Sequence, residues 1–469
     1  MQRAVLLALF LLAAPLAGCI GSEDLGTDAA EQSTDPVDET VPDVENPSAL
    51  KAAHPSFGFP TMNDPTQGVE GEVPGWWAPP EPRDLPDQVT EVEHLANDGT
   101  DEERGAGIAV FGSLAIVPGY IDETTIYDIS DPTTPEKLSD LGDPPARDAD
   151  TIAFPDGTLY AVFATDSGVV PVYDITDPTD PQKVSTIEPE RGSHNVGVVP
   201  GTPLLYNSAS NGGGTGSQVP GEGSSGTAIY DLSDPSSPEM VTDFENGYSC
   251  HDISFHISED QQRAYCAGIQ MTQTWDISDP RDPSVVVDIP VHHGVSGTPS
   301  TGVGSAFFSH LAMVNEDASV LIVGDENGGG IAPACDAYAD AAGQSASGPA
   351  GNLWFYDISD EENPQLQGWF SPPSHYASNP PQDDRMTEIG GTEVPAGCTA
   401  HFGQLIPGEE KLAMAFYGAG VVLVDFSDPA NPIMVDQFND NRNVWDVWTY
   451  QGYMFAGDLA NGFDVYQGN

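Results

Sequence analysis

One short phrase, Tyr-Asp-Ile-Ser-Asp-Pro-x-x-Pro and its close variants, recurs along this chain and restricts its fold more than any other feature. It reads IYDISDPTTP at 126–135, VYDITDPTDP at 172–181, IYDLSDPSSP at 229–238 and TWDISDPRDP at 274–283. It returns as FYDISDEENP at 355–364 and LVDFSDPANP at 423–432, and GFDVYQGN at 462–469 is a truncated seventh copy. Two short alternating apolar runs precede each copy, as in ADTIAF–PDG–TLYAVFA at 149–164, and another short run follows, as in EKLSDL at 136–141. Alternation of period two is the signature of a strand, so the unit is four β-strands, a to d. The Ser-Asp-Pro segment makes a rigid corner between c and d. Its Ser and Asp side chains can cap local N–H groups, while proline fixes φ and ends the ladder.

Asp128 to Asp174 spans 46 residues and Asp425 to Asp464 spans 39. Four-stranded units at that period are propeller blades. The last unit supplies strands a to c and stops, whereas VTEVEHLA at 90–97 is an orphan strand ahead of the first blade. Joining them predicts an all-β, seven-bladed β-propeller over residues 88–469 whose last blade is completed by an N-terminal strand. That closure removes two sheet edges. Six or eight blades would leave one of these pieces unmatched.

Over residues 90–467 the repeats resemble the LVIVD-repeat propellers, also described as choice-of-anchor proteins because their membrane attachments vary. The resemblance implies a cell-surface protein and is specific for fold rather than for activity.

The N-terminus fits such a setting. Arg3 precedes a 15-residue apolar run at 4–18, the length of a signal-peptide core and short for a membrane span. Leu-Ala-Gly-Cys at 16–19 matches a lipobox, so Cys19 is the expected lipidation site and the membrane an expected partner. An ordinary cleaved signal peptide with an incidental cysteine is the alternative. Residues 19–87 are acidic and Pro-rich and are expected to form a solvated tether, with Phe57, Phe59, Trp76 and Trp77 strapping onto the domain.

Charge narrows the partners. Asp plus Glu number 73 against 13 Lys plus Arg, a formal charge of −60 spread along the whole chain. Such a surface repels phosphate backbones, which argues against nucleic acid as a partner. An acidic, lysine-poor composition suits an archaeal-type protein kept hydrated in brine, or equally an acidic secreted protein of no special habitat. A monomer is expected. Outside the cytoplasm four cysteines can form two disulfides. Cys335 and Cys398, in long insertions of neighbouring repeats, are the first pair to expect. Cys250 and Cys266 flank one hairpin out of direct register, and their pairing is open.

The repeat also supplies a register. Counting back six residues from each a–b turn reaches Ala149, His194, His251, His310 and His401, with Gly105 and about Val444 in the first and last blades. Blades 3 to 6 therefore each present a histidine where the innermost strand begins, at the mouth of the central channel. The long connections, at 207–226, 290–309, about 325–350 and 371–400, open on that same face and carry His292, His293, His375, Asp325 and Glu326 as further binding candidates. Two functions follow. One is a binding or interaction module that takes a protein, glycan or small molecule through the loop-crowned face. The other is a metal-binding protein or metal-dependent oxidoreductase with His194, His251, His310 and His401 around one Fe, Cu, Zn or Mn ion. Since blades arise by duplication, four copied histidines hydrogen-bonded to backbone or channel water are an equally simple account. The Ser-Asp-Pro corners lack an Asp-x-Asp ligand run, and the NGGG loops lack the strand-to-helix setting of a phosphate site.

Overall fold

Alternating strands this short cannot bury their apolar faces alone, so neighbouring units have to share them. The computed structural model describes residues 59, 61–83, 86, 88–97, 104–142, 145–209, 226–269, 271–290, 308–326, 351–372, 386–389, 392–395, 399–439 and 442–469. Among these the strands form seven four-stranded antiparallel sheets and one two-stranded hairpin. The hairpin, Met386–Ile389 with Thr392–Pro395, lies in the connection between blades 5 and 6. Blade 1 is Ala109–Phe111, Leu114–Val117, Thr124–Asp128 and Glu136–Leu141, and five more blades repeat that order. In blade 7 the outer position is taken by Val92–Asn97, paired antiparallel with Gly462–Gly468. The fold is the expected seven-bladed propeller.

The apolar clusters lie between blades. Ile108, Val110 and Tyr127 of blade 1 pack with Phe455, Phe463 and Val465 of blade 7. Ile322 and Phe355 of blade 5 pack with Leu412 and Phe426 of blade 6, and each remaining neighbouring pair has its own cluster. The corners interlock the blades further out. In the first corner Asp128 Oδ1 accepts from the Ser130 N–H at 2.8 Å, and Asp131 Oδ1 accepts from the Thr133 N–H at 3.0 Å and its hydroxyl at 2.6 Å. The aspartates are thus the caps, and the hydroxyls donate to them. Ser139 Oγ then donates to the Pro178 carbonyl of the next corner at 2.7 Å, and Ser185 Oγ to Pro235 at 2.6 Å.

Closure is held by polar groups as well as by strand pairing. His94 Nε2 lies 2.8 Å from Asp464 Oδ1, Asn97 Nδ2 donates to the same oxygen at 3.1 Å, and Arg442 Nε lies 3.4 Å from Asp464 Oδ2. Lys411, buried in blade 6, donates to the Val89 carbonyl at 2.9 Å. Ahead of the closing strand, Trp77 is fully buried edge-on to Phe111, 5.2 Å between ring centroids, and the Trp76 carbonyl accepts from the Ser113 N–H.

Near the axis, carboxylates join one innermost strand to the next. Asp148 accepts from Val196 N–H at 2.9 Å, Asp150 from Val198 N–H at 2.7 Å and Asp446 from Ile108 N–H at 2.9 Å. Burial raises all three, Asp150 to about 6 and Asp446 to about 7, and burial with the neighbouring Asp464 raises Asp458 to about 7. A raised folded value favours the protonated form, so this stabilisation is complete at low pH and is lost as pH climbs through 6 to 7. The corner aspartates behave oppositely. Hydrogen bonds from Thr133 lower Asp131 and those from Thr179 lower Asp177, so their contribution disappears below the ordinary carboxylate range. The thermal midpoint at constant salt should therefore peak near pH 5 and fall by several degrees by pH 8. Asp446→Asn, which keeps an acceptor for Ile108, should flatten the fall above pH 5 when followed by circular dichroism.

Candidate metal centre at the channel mouth

The residues that face the axis are set by a backbone irregularity at the start of strand a. In Ala146–Ala153, Ser309–Val314 and Val444–Tyr450 the pairing with strand b slips by one residue, at Arg147, His310 and Trp445. A bulge of this kind re-aims a side chain. The residue before each is held by the preceding blade: Ala146 N–H donates to the Gly119 carbonyl, Ser309 exchanges bonds with Ile269, and Val444 exchanges them with Tyr417. Ile269 and Tyr417 both adopt left-handed backbone, φ 62° and 46°, to make that reach. His194, His251 and His401 donate their N–H groups to Ser208, Ala267 and Ala415 at the corresponding place in blades 3, 4 and 6.

The ring of axial residues is consequently Arg147, His194, His251, His310, His401 and Trp445, with Tyr120 on the blade 1 side. This corrects the register deduced by counting from the a–b turns. Ala149 and Val444 are core residues buried in blade interfaces, and that side of the ring is occupied by Arg147, Trp445 and Tyr120. The physical reason is that strand a runs a different distance past the ring residue in different blades, to Ala153 from Arg147 but only to Val314 from His310, so a fixed offset from the turn misses it. The dipeptides Arg147-Asp148, His194-Asn195, His251-Asp252 and Trp445-Asp446 carry the true alignment.

The four imidazoles form a continuous arc. Ring centroids are 4.2 Å apart for His194 and His251, 4.4 Å for His251 and His310, and 4.1 Å for His310 and His401. Trp445 continues it 4.2 Å from His401, while Phe308 and Phe402 wall its sides, 5.1 Å from His251 and 4.6 Å from His310. Glu326, at the end of strand b of blade 5, points into the arc. Its Oε2 is 3.6 Å from His310 Nε2 and its Oε1 is 3.7 Å from His401 Nε2. Donor atoms of His251, His310 and Glu326 all lie within 4.8 Å of one another, and all three residues are buried.

Neighbours orient these donors. His401 Nδ1 is 2.7 Å from the Trp445 carbonyl, which can only accept, so Nδ1 carries the proton and Nε2 keeps its lone pair toward Glu326. Tyr417 donates its hydroxyl to Glu326 Oε1 at 2.5 Å. Burial drives His194 down to about 3 and holds His251, His310 and His401 well below the ordinary imidazole range, while it lifts Glu326 to about 8. Near neutral pH the arc is uncharged, and its imidazole nitrogens are available as ligands.

Asp325 serves another purpose. Its carboxylate is fully buried and accepts from the Phe308 N–H and the Gly351 N–H, each at 3.0 Å, so it ties together the ends of two long connections beside the arc. Cys250 and Cys266, which spacing leaves unassigned, form a disulfide with Cα atoms 5.2 Å apart. Cys250 precedes the strand Asp252–Ile257, so alternation within that strand does not govern it. His292, His293, His375, Cys19, Cys335 and Cys398 lie outside the described residues. The residues missed by counting are Arg147, Tyr120, Tyr417 and Trp445; only the shared Asp or Asn after the ring position marks two of them in the sequence.

The LVIVD repeat family matches residues 414–440, which run from the end of strand b through strand d of blade 6. No curated protein matches the chain. Among solved structures, that of Saccharomyces cerevisiae Sqt1 aligns with 78% of this chain and 82% of its own, at 12% identity and a TM-score of 0.46. The chain is a seven-bladed β-propeller carrying an LVIVD repeat.

Replacing Asp325 by Ala should lower stability by about 1–3 kcal/mol, because it strands one buried and one partly buried amide donor. Urea unfolding checks the loss. Asp325→Asn, which keeps one acceptor oxygen, should lose less.

Proposed function

We propose that this chain is an extracytoplasmic, membrane-tethered propeller that binds one first-row transition metal ion at the mouth of its channel and presents it to a ligand selected by the surrounding loops. The observation that carries the proposal is the buried His251–His310–Glu326 group, with His401 poised on the other carboxylate oxygen. Two atoms that each bind one ion at about 2.1 Å stand roughly 3.0–3.5 Å apart. The distances of 3.6 and 3.7 Å from Glu326 to His310 and His401 therefore need only small adjustments. Two imidazoles and a carboxylate form the donor set of non-haem iron(II) sites and of catalytic zinc sites. The Nδ1–H of His401 on the Trp445 carbonyl and the Tyr417 hydroxyl on Glu326 are the kind of outer contacts that orient metal ligands.

A binding role for the loop-crowned face fits the same centre. The strands that bound the long connections, ending at Ser208, Pro290, Asp325 and Phe370, all leave from the blade ends that carry the ring. Ligand recognition and metal binding would then act at one mouth. The apolar run at 4–18 and Cys19 support an extracytoplasmic, lipid-anchored location.

Purified full chain, stripped with chelator and reconstituted, should take up one equivalent of iron(II), zinc or cobalt(II) per chain. His310→Ala and Glu326→Gln should each weaken uptake by more than about a hundredfold, the loss that removal of even an outer-shell contact can reach. His256→Ala, on the same blade as His251 but outside the ring, should leave it unchanged. Substoichiometric metal that persists in His310→Ala would sink the proposal.

A further inference from the structure

Arg147 is the ring's counterpart of the histidines in blade 2, and nothing in the coordination scheme uses it. Its bulged position puts it at the same level of the channel, yet its chemistry is opposite. Whereas the His310 and His401 side chains are 2% and 1% exposed, the Arg147 side chain is 32% exposed and so reaches the open end of the mouth. The guanidinium lies 5.4 Å from the centre of the Tyr120 ring, Tyr120 is 5.1 Å from Trp445, and Trp445 is 4.2 Å from His401. A continuous aromatic wall therefore runs from the cation to the arc. Asp166 engages Nε at 2.5 Å. The other four N–H donors of the fork belong to the two Nη groups.

We propose that the mouth receives a small carboxylate ligand, one oxygen of which approaches the ion held by His251, His310 and Glu326 while Arg147 takes its negative charge. This inference rests on the metal centre proposed above and specifies the class of its ligand. The fork of an arginine matches a carboxylate, and the aromatic rings beside it offer flat faces to a planar group. Charge points the same way. A divalent ion beside ionised Glu326, with Arg147 facing Asp166, leaves one positive charge uncompensated inside a protein whose formal net charge is −60. A monoanion neutralises it.

The test uses the full chain loaded with cobalt(II), whose visible spectrum reports its ligands, titrated with acetate at fixed high salt. Acetate should change the wild-type spectrum saturably. Arg147→Gln should bind cobalt as the wild type does and need roughly tenfold or more acetate for the same change. Arg147→Lys should fall between them, and Asp166→Asn, by releasing the fork, should need less acetate than the wild type. An identical titration in Arg147→Gln, or a cobalt spectrum that ignores acetate, overturns the inference and leaves the metal centre standing. Failure of the wild type to bind cobalt overturns the metal centre, and this inference with it.

Discussion

No blade of this protein owns a core. Among the described residues seven apolar clusters each lie between two neighbours, so the strands of one blade are half-packed until the next is in place, and the last is half-packed until it meets the first. The ring therefore has to close, and closure is delegated to a strand from the opposite end of the domain. Val92–Asn97 pairs with Gly462–Gly468, His94, Asn97 and Arg442 gather around the buried Asp464, and Lys411 reaches back to Val89. Everything at the axis depends on that circular constraint.

Closure brings innermost strands from distant parts of the chain within side-chain reach, and there two layers form. The outer layer is the arc of four histidines with Arg147, Trp445 and Tyr120. The next residue inward gives Asp148, Asn195, Asp252 and Asp446, of which Asp148 and Asp446 bond the amide of the following blade. The same stretch of backbone thus clamps blades together with one residue and offers chemistry with its neighbour. Tyr417 shows how closely the two are joined. Its left-handed backbone bonds Val444 of blade 7, and its hydroxyl fixes Glu326 of blade 5.

The sequence carried the fold almost completely. Six full corners and one truncated copy state the blade number, the orphan strand at 90–97 states how the ring closes, and alternation states which strands are buried. The histidines were legible for the same reason, since they occupy one place in a repeat. The rest of the ring was not. Counting from the a–b turn assumes that strand a has a constant length past the ring, but it ends at Ala153 in blade 2, Val314 in blade 5 and Tyr450 in blade 7, so Ala149 and Val444 stood in for Arg147 and Trp445. The disulfide between Cys250 and Cys266 was similarly hidden, because Cys250 lies ahead of the regular strand.

The sequence by itself determined what repeats: the four-stranded unit, its capped corner, the number of units and the presence of an imidazole at one register in four of them. These are properties of local periodicity and turn chemistry, and they need no knowledge of neighbours. Only the tertiary structure decided what converges. Glu326 enters the arc because strand b of blade 5 ends beside it, Tyr417 reaches Glu326 across a blade boundary, and Arg147 turns to the axis because its strand slips by one residue. Those distances are set by closing the ring, and a closed ring brings together residues whose sequence separation carries no trace of their contact.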